Sequence, residues 1–276
     1  MHKKFSQVIR KIENMKRLNK LIILLMLISL HVFGQSVKMP FHYHLIAHRG
    51  GVVDSTAGEN SVEALQAAIK HGYWMIETDL RITKDGVFIT HHDNTFKRSF
   101  GIDSAVSSMT WKQISQLNNK QGYKVQKFEA ILKLSRGKLS IMIDNKISSN
   151  DTVMFARLIT LLKKYNACKS AMMIGTDEST DFFTGKIKLS CTRKQLEDNM
   201  LKPGYQSSNY YLFSDTISKD DVDWARKNNI MVIGVINAWA YKSAAILQEA
   251  QQQAVKLKNA GVNYFQIDSV FEPLFK

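Results

Sequence analysis

Residues 60–93 read NSVEALQAAIKHG, YWMIETDLRI, TKDG and VFITHHD, and three periodicities succeed one another there. From Ser61 to Lys70, Val62, Leu65 and Ile69 form one apolar stripe at helical spacing. Asn60 is placed to cap this helix, with Glu63 reaching back, and His71-Gly72 stops it. Trp74 to Asp79 is an apolar run without clean alternation, the pattern of a strand buried on both faces. Thr83-Lys84-Asp85-Gly86 then reverses the chain into a further run, Val87 to His91, with Gly86 able to take positive φ.

The same alternation continues outward. Strands are expected at His44–Ala47, Leu139–Asp144, Ala171–Ile174, Ile187–Cys191, Tyr210–Phe213, Met231–Ile236 and Tyr264–Asp268. Helices are expected at Lys127–Ser135, Thr152–Tyr165, Lys219–Asn228 and Lys242–Asn259. Strand and helix exchanging to the end imply a parallel sheet with crossover helices. Nine strands, one of them tied into a hairpin, come close to a TIM-type (β/α)8 barrel with a small hairpin after its second strand. The length of 276 residues suits one such barrel, and 45% hydrophobic residues can fill its core. With no internal repeat and no low-complexity linker, residues 40–276 read as a single domain.

The first 34 residues read differently. Seven Lys or Arg stand there against one acid, Glu13, so the net charge of +14 falls to +8 without them. Arg17 and Lys20 precede the apolar run from Leu21, which with His31-Val32-Phe33-Gly34 is too short to span a bilayer comfortably. It suits a signal-peptide core, with cleavage before Gln35 and Met15 as an alternative start. The expectation is therefore an exported protein, periplasmic or secreted, with no stable membrane span after cleavage; an uncleaved anchor is the other reading. The remaining positive charge favours anionic partners. No basic stripe with interleaved aromatics points to nucleic acid, and a monomer or small homo-oligomer is expected. Cys168 and Cys191 lack metal-ligand spacing; two free buried thiols are the plainer reading, and a pair formed in an oxidising compartment is the alternative.

Chemistry concentrates at strand ends. Glu77 and Asp79 are two apart, so both leave one face of their strand and repel unless a cation or protons lie between them. Oxygen ligands of this kind favour Mg²⁺ or Ca²⁺ over zinc. Asp144 and Lys146 share a face at the end of another strand, offering a third carboxylate and an ammonium. His48-Arg49-Gly50 follows the first strand, at the end where barrel enzymes carry their chemistry. Arg49 presents a planar fork suited to phosphate, and His48 can exchange protons near neutral pH. His91 and His92 compete for a second proton-transfer role, since a strand turns only one of them inward. His42, His44 and His71 read as surface or packing residues, and Trp239 as core or pocket lining.

His48-Arg49-Gly50, Glu59-Asn60-Ser61, Glu77-Thr78-Asp79, Thr83-Lys84-Asp85-Gly86 and His92-Asp93 together resemble the ordered motifs of the glycerophosphodiester phosphodiesterase family. The resemblance continues more thinly through Asp144-Asn145-Lys146 to Gly261 and Asp268. It implies a barrel like that of the phosphatidylinositol-specific phospholipases C. It also implies His48 and His92 as the acid–base pair, Glu77, Asp79 and Asp144 around one divalent cation, and Arg49 and Lys146 on the phosphate. The implied reaction cleaves a small phosphodiester to sn-glycerol 3-phosphate and an alcohol. A phospholipase C- or D-like enzyme acting on intact phospholipids is the alternative and predicts an apolar rim. Three positions depart from the pattern: Asp144 for a common glutamate, Gly58 for a proline, and Ser99-Phe100 for threonines.

Overall fold

The computed structural model describes residues 42–241 and 244–276. The expected leader, its cleavage point and the alternative start lie outside the described residues, as does Lys242, the expected first residue of the last helix.

Twelve strands are found among the described residues: β1 (His44–Ala47), β2 (Met75–Ile82), β3 (Phe88–Thr90), β4 (Thr95–Phe96), β5 (Ile102–Ala105), β6 (Gln126–Lys127), β7 (Ser140–Asn145), β8 (Met172–Ile174), β9 (Lys188–Cys191), β10 (Tyr210–Ser214), β11 (Met231–Ile236) and β12 (Tyr264–Ile267). Eight of them, β1, β2 and β7 to β12, pair in parallel, and β1 bonds to both β12 and β2, closing the barrel. Closure leaves none of the eight as an exposed edge. The main helices are α1 (Val62–His71), α2 (Lys97–Phe100), α3 (Trp111–Ile114), α4 (Phe128–Ser135), α5 (Thr152–Lys164), α6 (Asp177–Phe183), α7 (Arg193–Met200), α8 (Lys219–Lys227) and α9 (Ile246–Ala260).

Strand pleating sorts the side chains. Ile46, Met75, Met142, Met172, Tyr211 and Ile233 point inward and fill the barrel. Their neighbours, such as Leu45, Ile76, Ile141 and Ile143, point outward and pack under the helices. Both faces are apolar, which is why the strands read as continuous runs. Each of these large side chains, fully buried, contributes roughly 1.5–3 kcal/mol.

The hairpin forms as expected. β2 and β3 pair antiparallel, Leu80 opposite Thr90 and Ile82 opposite Phe88, and Gly86 takes φ 77° in the turn. Beyond the hairpin the sequence reading finds no element before Lys127, whereas the structure builds several. β3, β4, α2, β5, α3 and β6 form an insertion between β2 and α4 with its own core of Ile89, Phe96, Val106, Ile114, Leu117 and Val125. Its pieces are two to four residues long and carry no readable period. Two helices were also missed, α6 and α7, whose apolar stripes are thin. Thr192 and Gln195 nevertheless make a capping box that marks the start of α7.

One cap differs from expectation. Ser61, not Asn60, caps α1, its hydroxyl accepting from Ala64 N–H. Asn60 lies outside the helix at φ 58°, and its amide is taken up by Thr78 and Asp79 of β2.

Cys168 and Cys191 are both free. His44 stacks on Tyr264, and His71 Nδ1 bonds to Glu272, both packing roles. Trp239 is 66% exposed, which excludes a core role. Among the described residues no helix is long and apolar enough to cross a membrane.

Candidate active site

The C-terminal ends of β1, β2, β7 and β12 meet at one mouth of the barrel. Strand pairing sets Asp79 of β2 directly beside Asp144 of β7, so the parallel register itself creates the acidic cluster. Glu77, Asp79 and Asp144 each offer an oxygen within 4.8 Å of the others. The aspartate at 144, one methylene shorter than the glutamate common in the resemblance, therefore still reaches its partners. Glu77 and Asp79 are almost completely buried. Burial, then the charges of Asp79 and Asp144, push the Glu77 carboxyl well above the usual range. Burial also raises Asp144, against the lowering effect of Lys146.

The positive charge and donors around the cluster leave two of its oxygens unsatisfied. Glu77 Oε1 and Asp79 Oδ1 are buried with no hydrogen-bond partner. Lys146 Nζ lies 2.6 Å from Asp144 but 3.6 Å from Asp79, too far to satisfy it. Burial opposes the charge on Lys146, yet the neighbouring acids, Asp144 first, hold its pKa above the ordinary lysine value. Converging hard oxygens with two lone acceptors fit Mg²⁺ or Ca²⁺ and no soft metal.

Backbone geometry shapes the approach. Arg49, Gly50 and Gly51 all have positive φ. This tight turn aims Arg49 N–H at Glu77 Oε2, 2.8 Å away. Gly50 has no room for a side chain, since a Cβ there would sit 2.6 Å from Asn60 Cα. Asn60 Nδ2 donates to Asp79 Oδ2 at 2.8 Å, while its Oδ1 accepts from Thr78 Oγ1 at 2.8 Å and Asp79 N–H at 3.2 Å. One buried amide thus fixes the β2 acid and the loop after β1 together.

Two imidazoles flank the acids. His48 Nδ1 is 2.7 Å from Asp268 Oδ1, and its Nε2 is 3.8 Å from Glu77 Oε2. His92 Nδ1 is 2.7 Å from Asp93 Oδ1, and its Nε2 is 3.5 Å from Arg49 Nη2. In both, a carboxylate on Nδ1 leaves Nε2 available to exchange a proton. His91 turns the other way. Its Nε2 meets Thr95 O at 3.0 Å, its ring packs on Phe96, and burial lowers its pKa.

All seven expected site residues therefore gather at one mouth: His48, Arg49, Glu77, Asp79, His92, Asp144 and Lys146. Four contributors were not foreseen in these roles. Asp268, read as the end of the last strand and of the family resemblance but given no role, holds His48. Glu59 binds the guanidinium groups of Arg49 and Arg98. Arg98 in turn holds Asp93 through Nε at 2.6 Å, completing a chain to His92. Arg81 clasps the His92 carbonyl with Nε and Nη2. An acid closing an apolar run was the available signal for Asp268, as it was for Asp79 and Asp144.

Fold and site define a closed (β/α)8 barrel with an acidic, histidine-flanked centre at its C-terminal mouth. From residue 48 to 263 the chain matches the Glycerophosphoryl diester phosphodiesterase family, and it belongs to that family. Glycerophosphodiester phosphodiesterase 1 of Mus musculus is 32% identical over 111 residues, 37% of this chain and 33% of that protein, so the match spans about a third of the relative. A glycerophosphoryl diester phosphodiesterase from Parabacteroides distasonis shares the fold with TM-score 0.68 at 20% identity, over 86% of each chain. An Oleispira antarctica phosphodiesterase, solved in complex with the product sn-glycerol-3-phosphate, gives TM-score 0.64 at 14% identity over 84% of this chain and 96% of that one.

Proposed function

We propose that the protein hydrolyses glycerophosphodiesters to sn-glycerol 3-phosphate and an alcohol. The observation that carries this reading is the convergence of three carboxylates, within 4.8 Å of one another, with two imidazoles each held through Nδ1 by an aspartate. One divalent cation, Mg²⁺ or Ca²⁺, held by Glu77, Asp79 and Asp144, supplies charge to offset that of the phosphoryl oxygens. Arg49 and Lys146 face the same charge as hydrogen-bond donors. One imidazole Nε2 takes the proton from the attacking hydroxyl, either water or the 2-hydroxyl of the glycerol. As the new P–O bond forms and the old one breaks, the other imidazole gives a proton to the departing alkoxide. If the 2-hydroxyl attacks, a cyclic phosphate results, and water opens it with the two imidazoles exchanging roles.

The family membership and the product named for the Oleispira relative support this reading. The same proposal includes export, with the mature chain beginning at Gln35; N-terminal sequencing of the expressed protein tests it, and a retained residue 1–34 segment would contradict it.

The direct test is release of sn-glycerol 3-phosphate from glycerophosphocholine by the wild type and by His48→Ala and His92→Ala. Each substitution is expected to abolish turnover with the circular dichroism spectrum unchanged. Near-normal rates in either variant would refute the assignment.

A further inference from the structure

His92 belongs to a closed circuit of side chains that passes through the insertion. Its Nδ1 lies 2.7 Å from Asp93 Oδ1. Arg98 donates twice to the same carboxylate, from Nε to Oδ2 at 2.6 Å and from Nη2 to Oδ1 at 3.1 Å. Arg98 Nη2 also reaches Glu59 Oε1 at 2.5 Å, and Glu59 Oε2 accepts from Arg49 Nη1 at 2.5 Å. Arg49 Nη2 closes the circuit, 3.5 Å from His92 Nε2. Two carboxylates and two guanidinium groups alternate around it, so their four formal charges balance.

We propose that Arg98 is a positioning residue: by bridging Asp93 and Glu59 it fixes His92 at a set place relative to Arg49. This rests on the phosphodiesterase reading of the site, in which His92 moves a proton and Arg49 faces the phosphoryl oxygens.

The geometry assigns this task to Arg98 because Asp93 cannot perform it alone. Asp93 follows His92 directly in the chain, and its side chain is 25% exposed, so packing does little to choose its rotamer. A planar guanidinium gripping both carboxylate oxygens does choose it. Burial raises the Asp93 pKa, but the hydrogen bonds from Arg98 and His92 outweigh it and hold the carboxyl well below the usual range. Arg98 is itself held by the insertion. It lies on α2 (Lys97–Phe100), where Phe100, one of the departures from the resemblance, packs on Phe96 at 5.7 Å and on His91 at 6.0 Å. The insertion core thus sets Arg98, Arg98 sets Asp93, and Asp93 sets the imidazole. Arg98 works only through these partners, since its bonds go to the two acids and to neither imidazole nitrogen.

The test is steady-state release of sn-glycerol 3-phosphate from glycerophosphocholine by Arg98→Ala, Asp93→Ala and the double variant. Arg98→Ala should lower kcat by about tenfold or more, the worth of a hydrogen bond to a charged group, with KM changed far less. The Arg98 side chain is 51% exposed, so its thermal midpoint should stay near that of wild type. The double variant should be no slower than the slower single one, because both residues act on His92 as a unit. Guanidinium chloride far below the denaturing range should speed Arg98→Ala but neither wild type nor Asp93→Ala, with sodium chloride at equal strength as the control. Arg98→Lys keeps the cation without the fork, covers the case in which the alanine variant misfolds, and should fall between wild type and Arg98→Ala. A wild-type kcat in both Arg98 variants, a loss confined to KM, or losses that multiply in the double variant would overturn the positioning role and leave the proposed reaction standing. No turnover by the wild type would overturn both.

Discussion

Asp268→Asn isolates the least visible member of the site. Asp268 lies 220 residues from His48 in the chain, yet Oδ1 sits 2.7 Å from His48 Nδ1 and Oδ2 accepts Ala238 N–H at 2.5 Å. Burial raises the Asp268 pKa, but the hydrogen bond and charge of His48, with Ala238 N–H, outweigh it and hold the carboxyl below its ordinary value. Both oxygens are in use, and asparagine has only one. Its single carbonyl can serve Ala238 or His48, so the substitution either leaves a backbone donor bare or turns an NH₂ group toward Nδ1. The second outcome forces the proton onto Nε2 and removes the base. A hydrogen bond to a charged group is worth about 1.5–3 kcal/mol, which corresponds to roughly a 10- to 150-fold fall in kcat. Asp268 acts through His48, so KM should change little. The assay is steady-state release of sn-glycerol 3-phosphate, with unfolding followed in parallel to confirm the native state. A wild-type kcat, or a loss confined to KM, would show that the Asp268 contact does not position the imidazole for proton transfer.

Three further outcomes are expected. Stripping divalent ions should abolish turnover, and restoring Mg²⁺ or Ca²⁺ at a hundred times its dissociation constant should add about 2.7 kcal/mol of stability, or roughly 5–10 °C in Tm; a Glu77→Gln variant that shows the same thermal shift would place the ion elsewhere. Burial lowers the His91 pKa, so the unfolded chain takes up its proton at higher pH than the folded one. The stability that wild type holds over His91→Gln should thus shrink as pH falls below about 6.5, and urea midpoints that keep a constant gap between about pH 7.5 and 5.5 would exclude this. Ser61→Ala removes the acceptor for Ala64 N–H and should cost about 1 kcal/mol by denaturant titration, whereas no change would mean that water replaces the cap.

The barrel itself was legible because its strands are short, apolar on both faces and, except around α6 and α7, separated by helices that could be read. Eight of the nine expected strands became staves, and the ninth became the hairpin announced by Thr83–Gly86. The acid pair Glu77 and Asp79 was readable for a related reason: pleating puts residues two apart on one face whatever the rest of the fold does. Asn60 was misread because an asparagine before a helix is an ordinary cap, and nothing local says that its amide is needed by Asp79. The insertion was invisible because elements of two to four residues have no period to detect.

Local rules act over a few residues, so the chain alone decided the barrel's strands, the helices with a clear apolar stripe, and which residues of a strand share a face. It could not decide who meets whom across the barrel. The register that sets Asp79 beside Asp144, the seam between β1 and β12 that brings Asp268 to His48, and the bridge from Arg98 to Glu59 depend on contacts between distant segments. Those contacts exist only once closure of the sheet fixes the neighbours of every strand, and the candidate chemistry depends on them.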